Sequence, residues 1–97
     1  MKKLINYFKQ QKIKKEEKRR KEEEVKRLEE ELEKADQQLK VVVNRLNEAY
    51  SKFYDAVESN DEHEKCYWKA RIENWRISLD VCESTKGQLL KELEELI

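Results

Sequence analysis

The sequence predicts an all-α chain: a long antiparallel helical hairpin with coiled-coil packing, carrying a charged N-terminal helical extension. Three observations lead there. Among 97 residues there is no Pro and a single Gly, so helix breakers are nearly missing. Apolar side chains recur every seven positions through two long segments. One polar stretch, Glu58-Ser59-Asn60-Asp61-Glu62, separates these segments and reads as a turn near residues 58–62.

Residues 1–24 form the extension. Met1, Leu4, Ile5 and Phe8 fall at helical spacing with Tyr7 beside them, and Lys2, Lys3, Lys9, Lys12, Lys14 and Lys15 flank this patch with no acid before Glu16. Leu4, Ile5 and Phe8 are therefore candidate contact residues for another subunit, for the acidic groove of a partner, or for a membrane surface reached through residues 1–15. Nucleic acid is disfavoured, because no interleaving of Arg and aromatic residues supports base contact. Acid-first pairs follow at a spacing of four: Glu16 with Arg20, Glu17 with Lys21, Glu22 with Lys26, and Glu23 with Arg27. Each contributes about 0.2–0.5 kcal/mol, so this segment is expected to stay helical in water without packing. An arm of roughly 22 residues would reach roughly 33 Å.

Residues 25–97 form the hairpin, with helices expected from about residue 3 to 58 and from about 62 to 96. In the first arm Val25, Leu32, Leu39, Leu46 and Phe53 take heptad position a, and Leu28, Ala35, Val42, Ala49 and Ala56 take d. At the turn, Asn60 and Asp61 tolerate the backbone angles of a reversal, and Ser59, Asn60 or Asp61 can cap the next helix. In the second arm Trp68, Trp75, Cys82, Leu89 and Leu96 fall at d, and Ile72, Leu79, Lys86 and Leu93 at a.

A chain reversal centred between Asn60 and Asp61 sets every a opposite a d. The layers run from Phe53 with Trp68, through Ala49 with Ile72, Leu46 with Trp75 and Ala35 with Lys86, to Leu28 with Leu93 and Val25 with Leu96. Lys86 is the one charge in the series. Ala35 leaves room for its stem to lie along apolar surface, and Asp36 is the expected partner of its ammonium. A swapped dimer, with each chain one continuous helix, would satisfy the same layers between chains. Gly87 marks a weak point near residues 86–88.

More apolar surface exists than one seam uses. Val43, Tyr50 and Val57 at e and Tyr54 at b widen the first helix near the turn, while Tyr67, Ala70, Ile77 and Val81 lie at c and f of the second. A helix apolar on two sides is usually sandwiched. Tyr50, Tyr54, Val57, Tyr67, Ala70, Ile77 and Val81 are therefore the candidate interface, for a second copy in a four-helix arrangement or for another protein.

Composition bounds what such a chain does. With 37% hydrophobic and 45% charged residues it cannot enclose a thick core, and 22 basic against 22 acidic residues give no whole-molecule pull toward nucleic acid or membrane. No run is apolar enough for a secretory signal or a membrane span, so a reducing cytoplasm is the expected compartment. Cys66 and Cys82 lie sixteen residues apart on one helix, roughly 24 Å, too far to bridge within the chain. His63 stands alone between Glu62 and Glu64, no metal site is expected, and no cofactor either. Without a Gly-rich phosphate loop, a C-x-x-C pair or an H-E-x-x-H helix, no enzymatic chemistry is expected.

The chain is similar in size and hairpin form to the small secreted helical hairpins with a Trp-x-Gly turn. Ser59-Asn60-Asp61 stands in place of that turn, so no residue role carries across. Its Lys- and Glu-rich style resembles small proteins of AT-rich bacteria or their phages. The expected function is a non-enzymatic protein–protein interaction module: a small adaptor, inhibitor, chaperone or assembly factor working through the hairpin surface. A self-associating scaffolding or secretion-associated hairpin is the alternative, and membrane-surface or nucleic-acid binding through the basic N-terminus a further one.

Overall fold

The computed structural model describes residues 2–97, the Lys2 side chain excepted; Met1, counted above in the N-terminal patch, lies outside the described residues. Two helices, α1 (Lys2–Glu58) and α2 (Glu62–Leu96), fold back on each other as one hairpin within the chain, a rod of 88 × 14 × 14 Å. The described residues contain no strand. Of the two pairings the heptads allow, the intramolecular hairpin is the one observed.

The reversal takes three residues, Ser59 to Asp61, because two capping motifs share them. Asn60 adopts φ 56°, the left-handed conformation in which a short polar side chain replaces glycine. That angle lets the Asp61 N–H donate to the Ala56 carbonyl at 3.0 Å and the Asn60 N–H to the Val57 carbonyl at 3.2 Å, closing the C-terminus of α1. The Asp61 carboxylate then accepts from the Glu64 N–H at 3.1 Å and caps α2, while Glu62 and Glu64 meet its positive end. One residue thus ends one helix and begins the next.

Every seam position from Val25 to Ala56 and from Trp68 to Leu96 is buried or half-buried, and every b, c and f position along those two runs is exposed. This is the pattern of an a/d interface. Leu28, Ala35, Val42, Leu46, Ala49, Ala56 and Ile72 form its fully covered part. Near the turn, Leu46, Ala49 and Ile72 make one cluster on which Phe53, Trp68, Trp75 and Leu79 pack. Small Ala49 admits the larger rings, consistent with interdigitation of large and small side chains. In the charged layer the Lys86 ammonium reaches Asp36 at 2.7 Å. α2 passes through Gly87 without interruption.

From Lys3 to Glu24 all side chains are exposed, so α1 projects beyond the end of α2 as a solvated arm. Its ion pairs differ from those expected. Arg19 meets Glu23 at 3.9 Å and, at the base of the arm, Arg27 meets Glu24 at 3.8 Å and Glu31 at 3.5 Å, in place of the four acid-first pairs spaced by four. Exposed pairs are worth only tenths of a kcal/mol, so several rotamer networks have nearly equal energy and spacing alone does not choose among them. Among the described residues no helix is long and apolar enough to cross a membrane.

Candidate functional site

Two helices in one seam leave two flanks, and the heptad fixes what each carries. In an antiparallel pair the e positions of both helices line one flank and the g positions the other. Tyr50, Lys69 and Arg76 are e residues; Gln38 and Ser78 are g residues. Each set borders its own groove.

The e flank, near the turn, holds a groove of about 290 Å³ formed by Tyr50, Phe53, Tyr54 and Ile72 with Lys69, Glu73 and Arg76 at its edges. Tyr50 is half-buried because it packs on the Leu46–Ala49–Ile72 cluster. Tyr54 stays 61% exposed, its ring edge-on to Phe53 at 5.9 Å. Val57, the next e residue, is 44% exposed. This flank joins aromatic area to two cations.

The g flank is longer and more apolar. Val41, Val42, Trp75, Ile77, Val81 and Cys82 line a groove of about 710 Å³ together with Lys34, Gln37, Gln38 and Ser78. Ile77 is 63% and Val81 61% exposed. Trp75 forms the floor, with the Arg71 guanidinium 5.9 Å from its ring on the side toward the turn. Ala70 is exposed on the same face of α2, and so is Tyr67, whose ring meets Trp68 edge-on at 5.0 Å.

The candidate residues border both flanks. Tyr50 and Tyr54 share one groove, and Ile77 and Val81 share the other. Val41 was missed by the heptad reading although it is 55% exposed beside Ile77 and Val81. Its signal was the run Val41-Val42-Val43, three apolar residues where the seam needs only Val42. Leu90, at e and 42% exposed, was missed likewise.

At the far end Leu4, Ile5 and Phe8 sit 64%, 54% and 62% exposed on the projecting arm, with Tyr7 edge-on to Phe8 at 6.0 Å. Closer in, Val25, Leu96 and Ile97 line a groove of about 470 Å³ at the open end of the hairpin together with Lys18 and Lys21. No three His, Cys, Asp or Glu side chains among the described residues come together as a metal-holding group. Comparison with protein-family models, with curated proteins and with solved structures found no match to this chain.

Proposed function

We propose that the chain is a non-enzymatic protein-interaction module, a small adaptor, inhibitor, chaperone or assembly factor whose working part is the surface of the hairpin. The supporting observation is how incompletely the hairpin covers its own apolar residues. Tyr54, Tyr67, Ile77 and Val81 stay 50–63% exposed over a seam whose Leu46, Ala49 and Ile72 are already buried. Covering such area is worth about 25 cal/mol per Å², and a partner that lies along either flank gains it. The reading includes a homodimer, and the two free thiols, Cys66 exposed and Cys82 half-buried, suit a reducing cytoplasm.

A second reading, contact with an anionic membrane surface, rests on the arm alone, where exposed Leu4, Ile5 and Phe8 stand among lysines. Capture from host lysate with the wild type, Tyr54→Asp and Ile77→Asp as baits tests the main reading. Both substitutions leave every seam layer intact. A protein held by the wild type and lost from one variant of equal helicity is the expected result; equal capture by all three baits overturns it.

A further inference from the structure

We infer that the hairpin pairs antiparallel with a second copy of itself through a second heptad stripe on α2. The inference rests on the interaction-module reading and names the occupant of one flank. From Tyr67 the stripe runs at alternating spacings of three and four through Ala70, Asn74, Ile77, Val81, Ser84 and Gln88. All are exposed and none is charged, in a chain of which 45% of residues are charged. Three-four spacing is the signature of a helix that faces another helix, and α2's other such stripe is already buried against α1.

The stripe is self-complementary. Ile77 and Val81 straddle Leu79, which is the midpoint of Glu62–Leu96. A two-fold axis beside Leu79 places Ile77 against the partner's Val81, Asn74 against the partner's Ser84, and Ala70 against the partner's Gln88. Apolar meets apolar at the centre, an amide meets a hydroxyl on either side, and a small residue meets a long one beyond. Polar layers of this kind fix register. An isologous contact needs this reciprocity. The 35 residues of α2 then face each other over about 52 Å, and at one helix diameter of width the contact reaches about 500–600 Å² per partner, just above the roughly 1,000 Å² in total that a specific interface needs. Val41, in the same groove, adds apolar area from α1.

Charge selects the polarity. A parallel pair would set residues 1–15 of both copies side by side, six lysines against six with no acid between them. An antiparallel pair sends the two arms out of opposite ends, many Debye lengths of about 8 Å apart.

Sedimentation of the full chain tests the pairing. The wild type is expected to be a dimer, and Ile77→Asp to weaken it at least tenfold with circular dichroism unchanged. In the double variant Ile77→Asp, Val81→Lys, opposite charges face each other only when the pair is antiparallel, so the dimer is expected to return. Spin labels on Cys66 in a Cys82→Ala chain should lie about 39 Å apart along the axis, against less than about 20 Å for a parallel pair. A dimer indifferent to Ile77→Asp, no recovery in the double variant, or the short distance overturns the proposal. So does a wild type monomeric through the millimolar range; if that monomer still captures a Tyr54-dependent partner, the interaction-module reading stands without the self-pairing.

Discussion

The Glu64 carboxylate accepts the Trp68 indole N–H at 2.8 Å, one helical turn apart on α2. In a capping box the residue three after the cap returns its carboxylate to the cap's own N–H. Here the Asp61 N–H is already given to the Ala56 carbonyl, the bond that closes α1. Glu64 is thereby free to fix the ring that lies opposite Phe53 in the outermost aromatic layer of the seam. Glu64→Ala should lower stability by about 1 kcal/mol, from one charge-assisted hydrogen bond and a favourable helix-dipole contact, and Glu64→Gln by less. Urea titration followed by Trp fluorescence and circular dichroism checks both variants.

Asn60 holds the turn through its backbone. At φ 56° a β-branched residue is strained, so Asn60→Val should cost about 1–2 kcal/mol, whereas Asn60→Gly should change stability by less than about 0.5 kcal/mol. Equal melting temperatures for the two would mean the left-handed angle is not kept in solution.

Gly87 is the opposite case, a glycine whose freedom the fold does not use. Its φ is not positive, and a Cβ there meets nothing within 4 Å. Gly87→Ala should therefore stabilise α2 by about 0.8–1 kcal/mol through helix propensity and a less flexible unfolded chain. For a domain of this size that is about 4–8 °C in melting temperature. An unchanged or lower value would show that the site is packed in the molecule.

Fold and surface were not equally legible in the sequence. The seam was readable because a burial pattern with period seven repeats often enough to be unambiguous, and Phe53–Trp68 through Val25–Leu96 follow from it together with the position of Asn60-Asp61. The Asp36–Lys86 pair was readable because Lys86 is the only charge at an a or d position between Trp68 and Leu96. The flanks were harder. Period seven assigns Tyr50 to e and Val81 to c, but whether they share a surface depends on how both helices roll about the seam, and the chain reversal places them on opposite flanks. Ion pairs on the arm were not legible, since Arg27 has Glu23, Glu24 and Glu31 within reach and the differences are tenths of a kcal/mol.

The projecting arm contributes no seam layer, since Lys3 to Glu24 are all exposed. Deleting residues 1–20 should therefore leave the melting temperature within about 2–4 °C of the full chain, because surface changes away from packed features stay within about 0.5 kcal/mol. A broadened or much lower transition would show that the arm packs on the hairpin.

Lys86 reports what the seam gives up for specificity. Its side chain is 35% exposed and reaches Asp36, itself 47% exposed, so the pair is screened by water and adds at most about 1 kcal/mol. Asp36→Ala should accordingly cost less than that, with the Lys86 ammonium moving to solvent. Leucine at the same place would fill the layer against Ala35 with apolar area, and Lys86→Leu should raise stability by about 1 kcal/mol. The gain carries a consequence for assembly. A charged residue at a single a position penalises every register, and every larger bundle, in which it would be sealed away from water. Without it the a/d stripe of α2 is apolar from Trp68 to Leu96, and nothing in the lower half of the seam penalises a swapped or slipped pairing. Lys86→Leu is therefore expected to melt higher yet sediment as a mixture of sizes, while Lys86→Arg keeps one species at nearly the wild-type melting temperature. A Lys86→Leu chain that is both more stable and as uniform as the wild type would show that pairing is set by the turn and the aromatic layers alone.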